Sequence, residues 1–293
     1  MAGPRYRVLE KIDAGGMAEV WKGSASSIES FEKLVAIKRV LPSLVKNKKF
    51  MAMFLDEARL SLHLNHTNIV QTFDVGQTGD GYFIVMEWVD GANLKKILEI
   101  CSLHGQKVPI EQAIFMAIEV CKGLSHAHDR ADPMGNPLNI VHRDVSPPNV
   151  LISREGEVKL VDFGLARAAS QLTLTDPGVV KGKFGYLCPE AARGERVSQS
   201  ADIFATGVIL WETLAMRRLF LGETDLETVK LVRAAKIPRL SEFNKDVDAE
   251  LEDILGRALS SSPDTRFASA EEFGHTLSKY LFRHRLMVTS YDL

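Results

Sequence analysis

The spacing of apolar residues changes period near Gly91, and that change restricts the chain to a fold of two unlike parts. Before it, the segments 6–12, 20–23, 35–40, 69–75 and 82–88 are short, apolar or alternating, and bounded by Gly, Asp or Ser. That is the pattern of half-buried antiparallel strands. One helix interrupts them: over 48–64, Phe50, Phe54, Ala58 and Leu62 recur at helical spacing, giving an apolar face and a charged face. After Gly91 the periodicity is helical. Residues 111–128 place Ile114, Ala117, Ile118, Cys121 and Leu124 on one stripe, and 203–214 has so few polar breaks that it should be buried. Between these helices, 150–152 and 158–161 read as short strands, with Arg154-Glu155-Gly156 as the turn. The expected fold is α+β and two-lobed, with a small antiparallel sheet and one helix over 6–90 and a larger, mostly helical lobe over 91–281. A tail follows over 282–293.

The chain's 293 residues exceed what a single core usually organises, which agrees with two lobes. Hydrophobic residues at 45% and charged residues at 25% exclude a disordered or fibrous chain. A net charge of -2 gives no electrostatic reason to expect nucleic acid or an acidic membrane as partner. The three cysteines are widely spaced and lack C-x-x-C or Cys/His spacing, as in a reducing compartment, and no apolar stretch approaches the length of a membrane span. A cytoplasmic location with no membrane span in this chain is the expectation. The segment 165–183 has no clear period, several hydroxyls and a Pro-Gly pair, and reads as a long functional loop.

The strongest chemical signal is Val141-His142-Arg143-Asp144-Val145-Ser146-Pro147-Pro148-Asn149, followed by Asp162-Phe163-Gly164. Any one of these polar residues alone would read as a turn former, but their order and strand-turn contexts agree with one another. Together they resemble the catalytic and magnesium-binding loops of protein kinases, and the chain is similar to the eukaryotic-like (Hanks-type) Ser/Thr protein kinase domain, most of all to bacterial members. The resemblance covers about 6–281 and implies a two-lobed kinase fold, ATP and Mg²⁺ (with Mn²⁺ as a substitute), and protein substrates. Phosphoryl transfer needs one carboxylate to orient the attacking hydroxyl and further oxygens to hold the metal against the phosphates. By resemblance Asp144 takes the first role, and Asn149 and Asp162 the second.

Upstream, Val35-Ala36-Ile37-Lys38 resembles the strand that carries the phosphate-binding lysine, with Glu57 on the next helix as its ion-pair partner. A solvated helix face is the competing reading for Glu57. Ile12, Asp13, Ala14, Gly15, Gly16 and Val20 lie in a stretch similar to the glycine-rich loop over the nucleotide phosphates, although Asp13 and Ala18 stand where glycines are expected. Asp13 must point away from a triphosphate or weaken its binding. Met86, Glu87 and Val89 lie in a stretch that resembles the hinge binding adenine through backbone groups, with Val20, Ala36 and Leu151 on the ring faces.

Two departures pair up: Ser146 stands where the family carries lysine, and Lys183 where it carries threonine. The expectation is that Lys183 supplies the missing charge beside Asp144, against a degraded enzyme. Arg143 before Asp144 suggests control by phosphorylation of the long loop, at Thr173 or Thr175, with Ser170 behind, on the premise of an unpaired cation. A homodimer would serve such autophosphorylation in trans. Asp202 is expected to cap the buried helix and hold the catalytic loop, and Arg266 to pair with Glu190. The alternative is a pseudokinase, a nucleotide-binding scaffold. A small-molecule kinase is a further rival, disfavoured by the Pro189-Glu190 element. Tyrosine acceptors stay open, although Ser146-Pro147-Pro148 lacks the Ala/Arg pattern of tyrosine kinases.

Overall fold

The computed structural model describes residues 6–26, 32–79, 81–132, 134–163 and 183–293, with every side chain among them except those of Lys49, Met53, Glu57 and Lys183. Five strands form the first sheet: β1 (Tyr6–Ala14), β2 (Ala18–Ser26), β3 (Glu32–Val40), β4 (Thr72–Thr78) and β5 (Gly81–Glu87). Their order is β1-β2-β3-β5-β4, and every neighbouring pair is antiparallel. The sheet's register sets Ala36 opposite Met86 and Val20 opposite Lys38.

Helices α1 (Pro42–Val45) and α2 (Lys48–Leu62) follow β3. Asn47 caps α2 by accepting the Phe50 N–H, and Phe50, Phe54 and Ala58 bury the apolar face against Ala36, Val40, Ile84 and Met86. The fourth strand begins three residues later than the sequence pattern predicts. Ile69 and Val70 turn away from β4, and the Val70 N–H donates to the Leu160 carbonyl, while Ile69 bridges Leu160 in parallel.

The larger lobe contains α3 (Leu94–Leu103), α4 (Ile110–His128), α5 (Pro189–Ala192), α6 (Ser200–Ala215), α7 (Asp225–Ala234), α8 (Ala249–Ala258) and α9 (Ala270–Arg283). Every residue of α6 from 201 to 214 is buried, as its lack of polar breaks requires. Trp211 sits edge-on to Phe243, with ring centroids 5.5 Å apart. Met216, at φ 52, ends α6 and turns the chain back. Asp202 lies in the first turn of α6 without capping it: the cap position is Gln199, and the carboxylate points instead toward the segment before Asp144.

A second sheet of three strands, β6 (Gly91–Asn93), β7 (Val150–Ser153) and β8 (Val158–Leu160), carries the loops of the site. β7 and β8 form the predicted hairpin, with Gly156 at φ 76 in its turn. The third strand, β6, is too short to leave a period in the sequence.

Two polar contacts fasten this sheet to the loop before β4. Asn68 donates to the Val158 carbonyl and to Glu119 of α4, and its own carbonyl accepts the Leu160 N–H. Gly123 of α4 allows the approach, since a Cβ there would lie 2.8 Å from the Asn68 carbonyl oxygen.

Candidate active site

The loop containing Asp144 is held from below by one buried carboxylate. Asp202 accepts the His142 and Arg143 N–H groups and His128 Nε2, each at 2.8 Å. Burial pushes the Asp202 carboxyl upward, but the hydrogen bonds it accepts, from His128 and the Arg143 N–H among them, outweigh that and hold it below the usual carboxylate range. His142 is buried and takes the neutral form, its pKa lowered by desolvation. Its Nδ1 accepts the Asp144 N–H at 3.2 Å, which leaves Nε2 to donate to the Val161 carbonyl at 3.1 Å. The His142 ring packs on Phe163 with centroids 4.4 Å apart, so the Asp144 and Asp162 loops share a core.

Around Asp144 the backbone is fixed in its turn. Its carbonyl accepts Asn149 Nδ2 at 2.8 Å and the Ser146 hydroxyl at 3.3 Å, and the Val161 N–H reaches the Asn149 carbonyl at 3.1 Å. Asp162, at φ 69, is aimed at Lys38 on β3, whose Nζ lies 2.6 Å from Asp162 Oδ1. Arg143 is also left-handed, at φ 64. Non-glycine residues held in that region mark backbones that the surroundings over-determine, and such positions concentrate at functional sites.

Of the predicted set, Lys38 thus contacts Asp162 and Asn149 contacts Asp144. Glu57 lies on α2, but its side chain is outside the described part. Lys183 opens a short 3-10 turn through Tyr186, with its side chain likewise outside. Ser170, Thr173 and Thr175 fall wholly outside the described residues. Arg143 has an interaction partner of its own, so the premise of an unpaired cation there does not hold.

The β1–β2 turn is exposed across Ile12, Asp13, Ala14, Gly15 and Gly16. The Gly15 N–H donates to the Ala18 carbonyl, and the Leu41 N–H to the Met17 carbonyl. Asp13 folds back on its own turn, with Oδ1 accepting the Ala14 N–H at 2.8 Å. Ala36 and Met86 share one apolar cluster with Leu151 and Val89, which puts two of the three predicted adenine-facing side chains, Ala36 and Leu151, together, while Val20 is not part of it. Lys22 stands over the Trp88 ring, 4.8 Å from its centroid.

Two polar assemblies were not anticipated from sequence. Lys159 of β8 is almost wholly buried, with Nζ 3.0 Å from both Glu87 Oε1 and the Thr67 carbonyl. Glu87 also accepts the Gln71 N–H, so the end of β5 is tied to β8. A lysine alone between Val158 and Leu160 was the available signal. The second assembly surrounds Glu212, which accepts the Tyr186 hydroxyl at 2.7 Å, Arg218 Nε at 3.0 Å and the Leu219 N–H at 2.9 Å. Burial raises the Glu212 pKa and, more strongly, that of Tyr186. Farther along, Arg266 forms a two-pronged pair with Glu190, both contacts at 2.7 Å.

The family model described as the protein kinase domain matches residues 6–278. The chain belongs to the protein kinase family. Tyrosine-protein kinase MasK of Myxococcus xanthus is 40% identical over 279 residues, covering 95% of this chain and 43% of MasK. Serine/threonine-protein kinase PrkC of Bacillus subtilis is 34% identical over 268 residues, covering 92% and 39%. The kinase domain described here therefore spans less than half the length of either relative. The crystal structure of the Mycobacterium tuberculosis PknI kinase domain matches with a TM-score of 0.70 at 23% identity, covering 95% of this chain and 97% of that one, a likeness of fold.

Proposed function

We propose that this kinase domain transfers the γ-phosphoryl group of ATP to serine or threonine hydroxyls of protein substrates. The observation that carries the reading is the contact of Lys38 with Asp162 beside the linked pair Asp144 and Asn149. Asn149 spends its Nδ2 on the Asp144 carbonyl, so its amide oxygen is left as the metal-facing donor. An amide oxygen plus a carboxylate suits a hard divalent cation. Mg²⁺, with Mn²⁺ as a substitute, would be held by Asn149 and Asp162 and would neutralise phosphate charge. Lys38 would then exchange its carboxylate partner for phosphate oxygens. Asp144 orients the substrate hydroxyl and takes up its proton as the oxygen bonds to the γ-phosphorus and the bond to the β-γ bridging oxygen breaks, releasing ADP.

Further parts of the reading concern the outer site. Ile12, Ala14, Gly15, Gly16 and Val20 cover the nucleotide, and the backbone of Met86, Glu87 and Val89 receives adenine between Ala36 and Leu151. Glu57 orients Lys38, Lys183 supplies the cation that Ser146 does not, and Thr173, Thr175 and Ser170 accept regulatory phosphate. A cytoplasmic location and a homodimer for phosphorylation in trans complete the proposal. No helix among the described residues is long and apolar enough to cross a membrane.

The test is Mg²⁺-dependent incorporation of labelled γ-phosphate into the protein and a generic basic substrate, with Asp144→Asn alongside. No incorporation by wild type that still binds ATP would favour the scaffold reading. Tyrosine acceptors form the second reading, favoured by the printed name of the 40% identical MasK. Phosphoamino-acid analysis of the labelled product separates the two: phosphotyrosine alone would overturn the Ser/Thr assignment.

A further inference from the structure

The segment after α9 returns to the domain and touches the strand pair that leads into the site. Arg285 adopts φ 55 and the Leu286 N–H reaches back to the Leu281 carbonyl, reversing the chain. Leu286 and Val288 pack on the core of the larger lobe, whereas Met287 and Tyr291 are exposed. A short turn follows, closed by Asp292 Oδ2, which accepts both the N–H and the hydroxyl of Thr289 at 2.7 and 2.9 Å. Gln112 of α4 donates to the Asp292 carbonyl at 2.5 Å. Residues 289–292 are thus held by both backbone and side-chain bonds.

What this segment rests against is the β7–β8 turn. A Cβ on Gly156 would overlap the Ser290 carbonyl, so the two backbones lie in direct apposition. On its other side the same hairpin meets the residues just after the proposed adenine hinge. The Arg154 N–H donates to the Asp90 carbonyl at 2.8 Å, Arg154 Nε lies 3.5 Å from Asp90 Oδ2, and a Cβ on Gly91 would overlap the Ile152 carbonyl. Two bare glycines therefore stack three backbone segments: the hinge exit, the β7–β8 hairpin and the stretch around Ser290. The hairpin supplies Leu151 to the apolar cluster of Ala36 and Met86.

We propose that residues 286–293 act as a strap that sets nucleotide affinity by holding the β7–β8 hairpin, and through it the hinge exit, in the adenine-binding arrangement. Gly156 and Ser290 are positioning residues in this scheme and touch no nucleotide. The proposal rests on the hinge reading given above. By linkage the coupling is reciprocal: nucleotide must tighten the strap by the same factor that the strap tightens nucleotide.

The experiment measures binding of a non-hydrolysable ATP analogue with Mg²⁺ to wild type, Gly156→Ala and the double variant Thr289→Ala/Asp292→Ala. Amide exchange across 286–293 is followed with and without the analogue. Both variants should weaken binding about fivefold or more, and the analogue should slow exchange in the wild-type strap. Weakening by Gly156→Ala alone would trace to strain at a left-handed residue and overturn the proposal. So would unchanged affinity in both variants, or a strap whose exchange ignores the analogue. Failure of wild type to bind the analogue at all would instead overturn the kinase reading on which the strap depends.

Discussion

Asp144 sits in a loop whose two preceding N–H groups are taken by one buried carboxylate, whereas Ala14 to Gly16 lie in an exposed turn held by a pair of backbone bonds and one surface aspartate. The difference fits the roles proposed above for the two parts. A catalytic carboxylate has to be placed to within a fraction of an ångström, and only packing against a rigid element such as α6 achieves that. A loop that covers a nucleotide must open for exchange, so few buried contacts suit it. Asp202 serves the first need, and Asp13, turned back on the Ala14 N–H, is an expression of the second.

The sharpest way to break the comparison is Asp144→Asn, which should lower phosphoryl transfer by about 10²–10⁴-fold while ATP-analogue binding stays intact. Steady-state rates with a protein substrate check this, and residual activity near wild type would remove Asp144 from its role. Next comes the anchoring of the large lobe. Arg266→Ala strands the buried Glu190 carboxylate, whose pKa burial raises but Arg266 pulls below its ordinary value. A loss of about 3–5 kcal/mol in urea unfolding is expected.

A smaller effect should appear with pH at the contact between the lobes. His66 and His126 stack with centroids 4.8 Å apart, and desolvation lowers the pKa of both. Around them Glu119 favours protonation of His66 and Asp129 that of His126, while Lys122, Lys159 and Arg130 oppose it. A histidine with a depressed folded pKa contributes its stability fully above the unfolded value of about 6.5 and loses it as pH falls toward the folded value. Thermal midpoints should therefore drop below about pH 6.5, and His126→Phe should reduce that slope. Smallest of all, Asp13→Gly should tighten ATP by a fewfold with kcat unchanged. Weaker binding would show that the aspartate helps to shape the loop.

The catalytic half was legible because its chemistry is local. Histidine, aspartate and asparagine lie within eight residues, with Asp162 soon after, so the pattern could be read from one short stretch. The Lys159 contact with Glu87 was not, because it joins positions 72 residues apart that share no period. Asp202 shows the intermediate case: its hold on the loop 60 residues away was expected from the resemblance, and only packing could reveal that it serves that loop without also capping the helix. Glycine at 156 read as a turn former, which it is, and its second reason, the apposed Ser290, lies in a segment that sequence periodicity does not locate.

The three tryptophans are distributed so that light can distinguish the lobes. Trp211 is sealed beside Phe243, while Trp21 and Trp88 lie partly open, each beneath a lysine. A small anionic quencher in solution will therefore darken the sheet-bearing half and spare the helical half. Because Trp88 directly follows Glu87, occupation of the cleft and melting of the core should register in one emission spectrum as separable changes of intensity and colour.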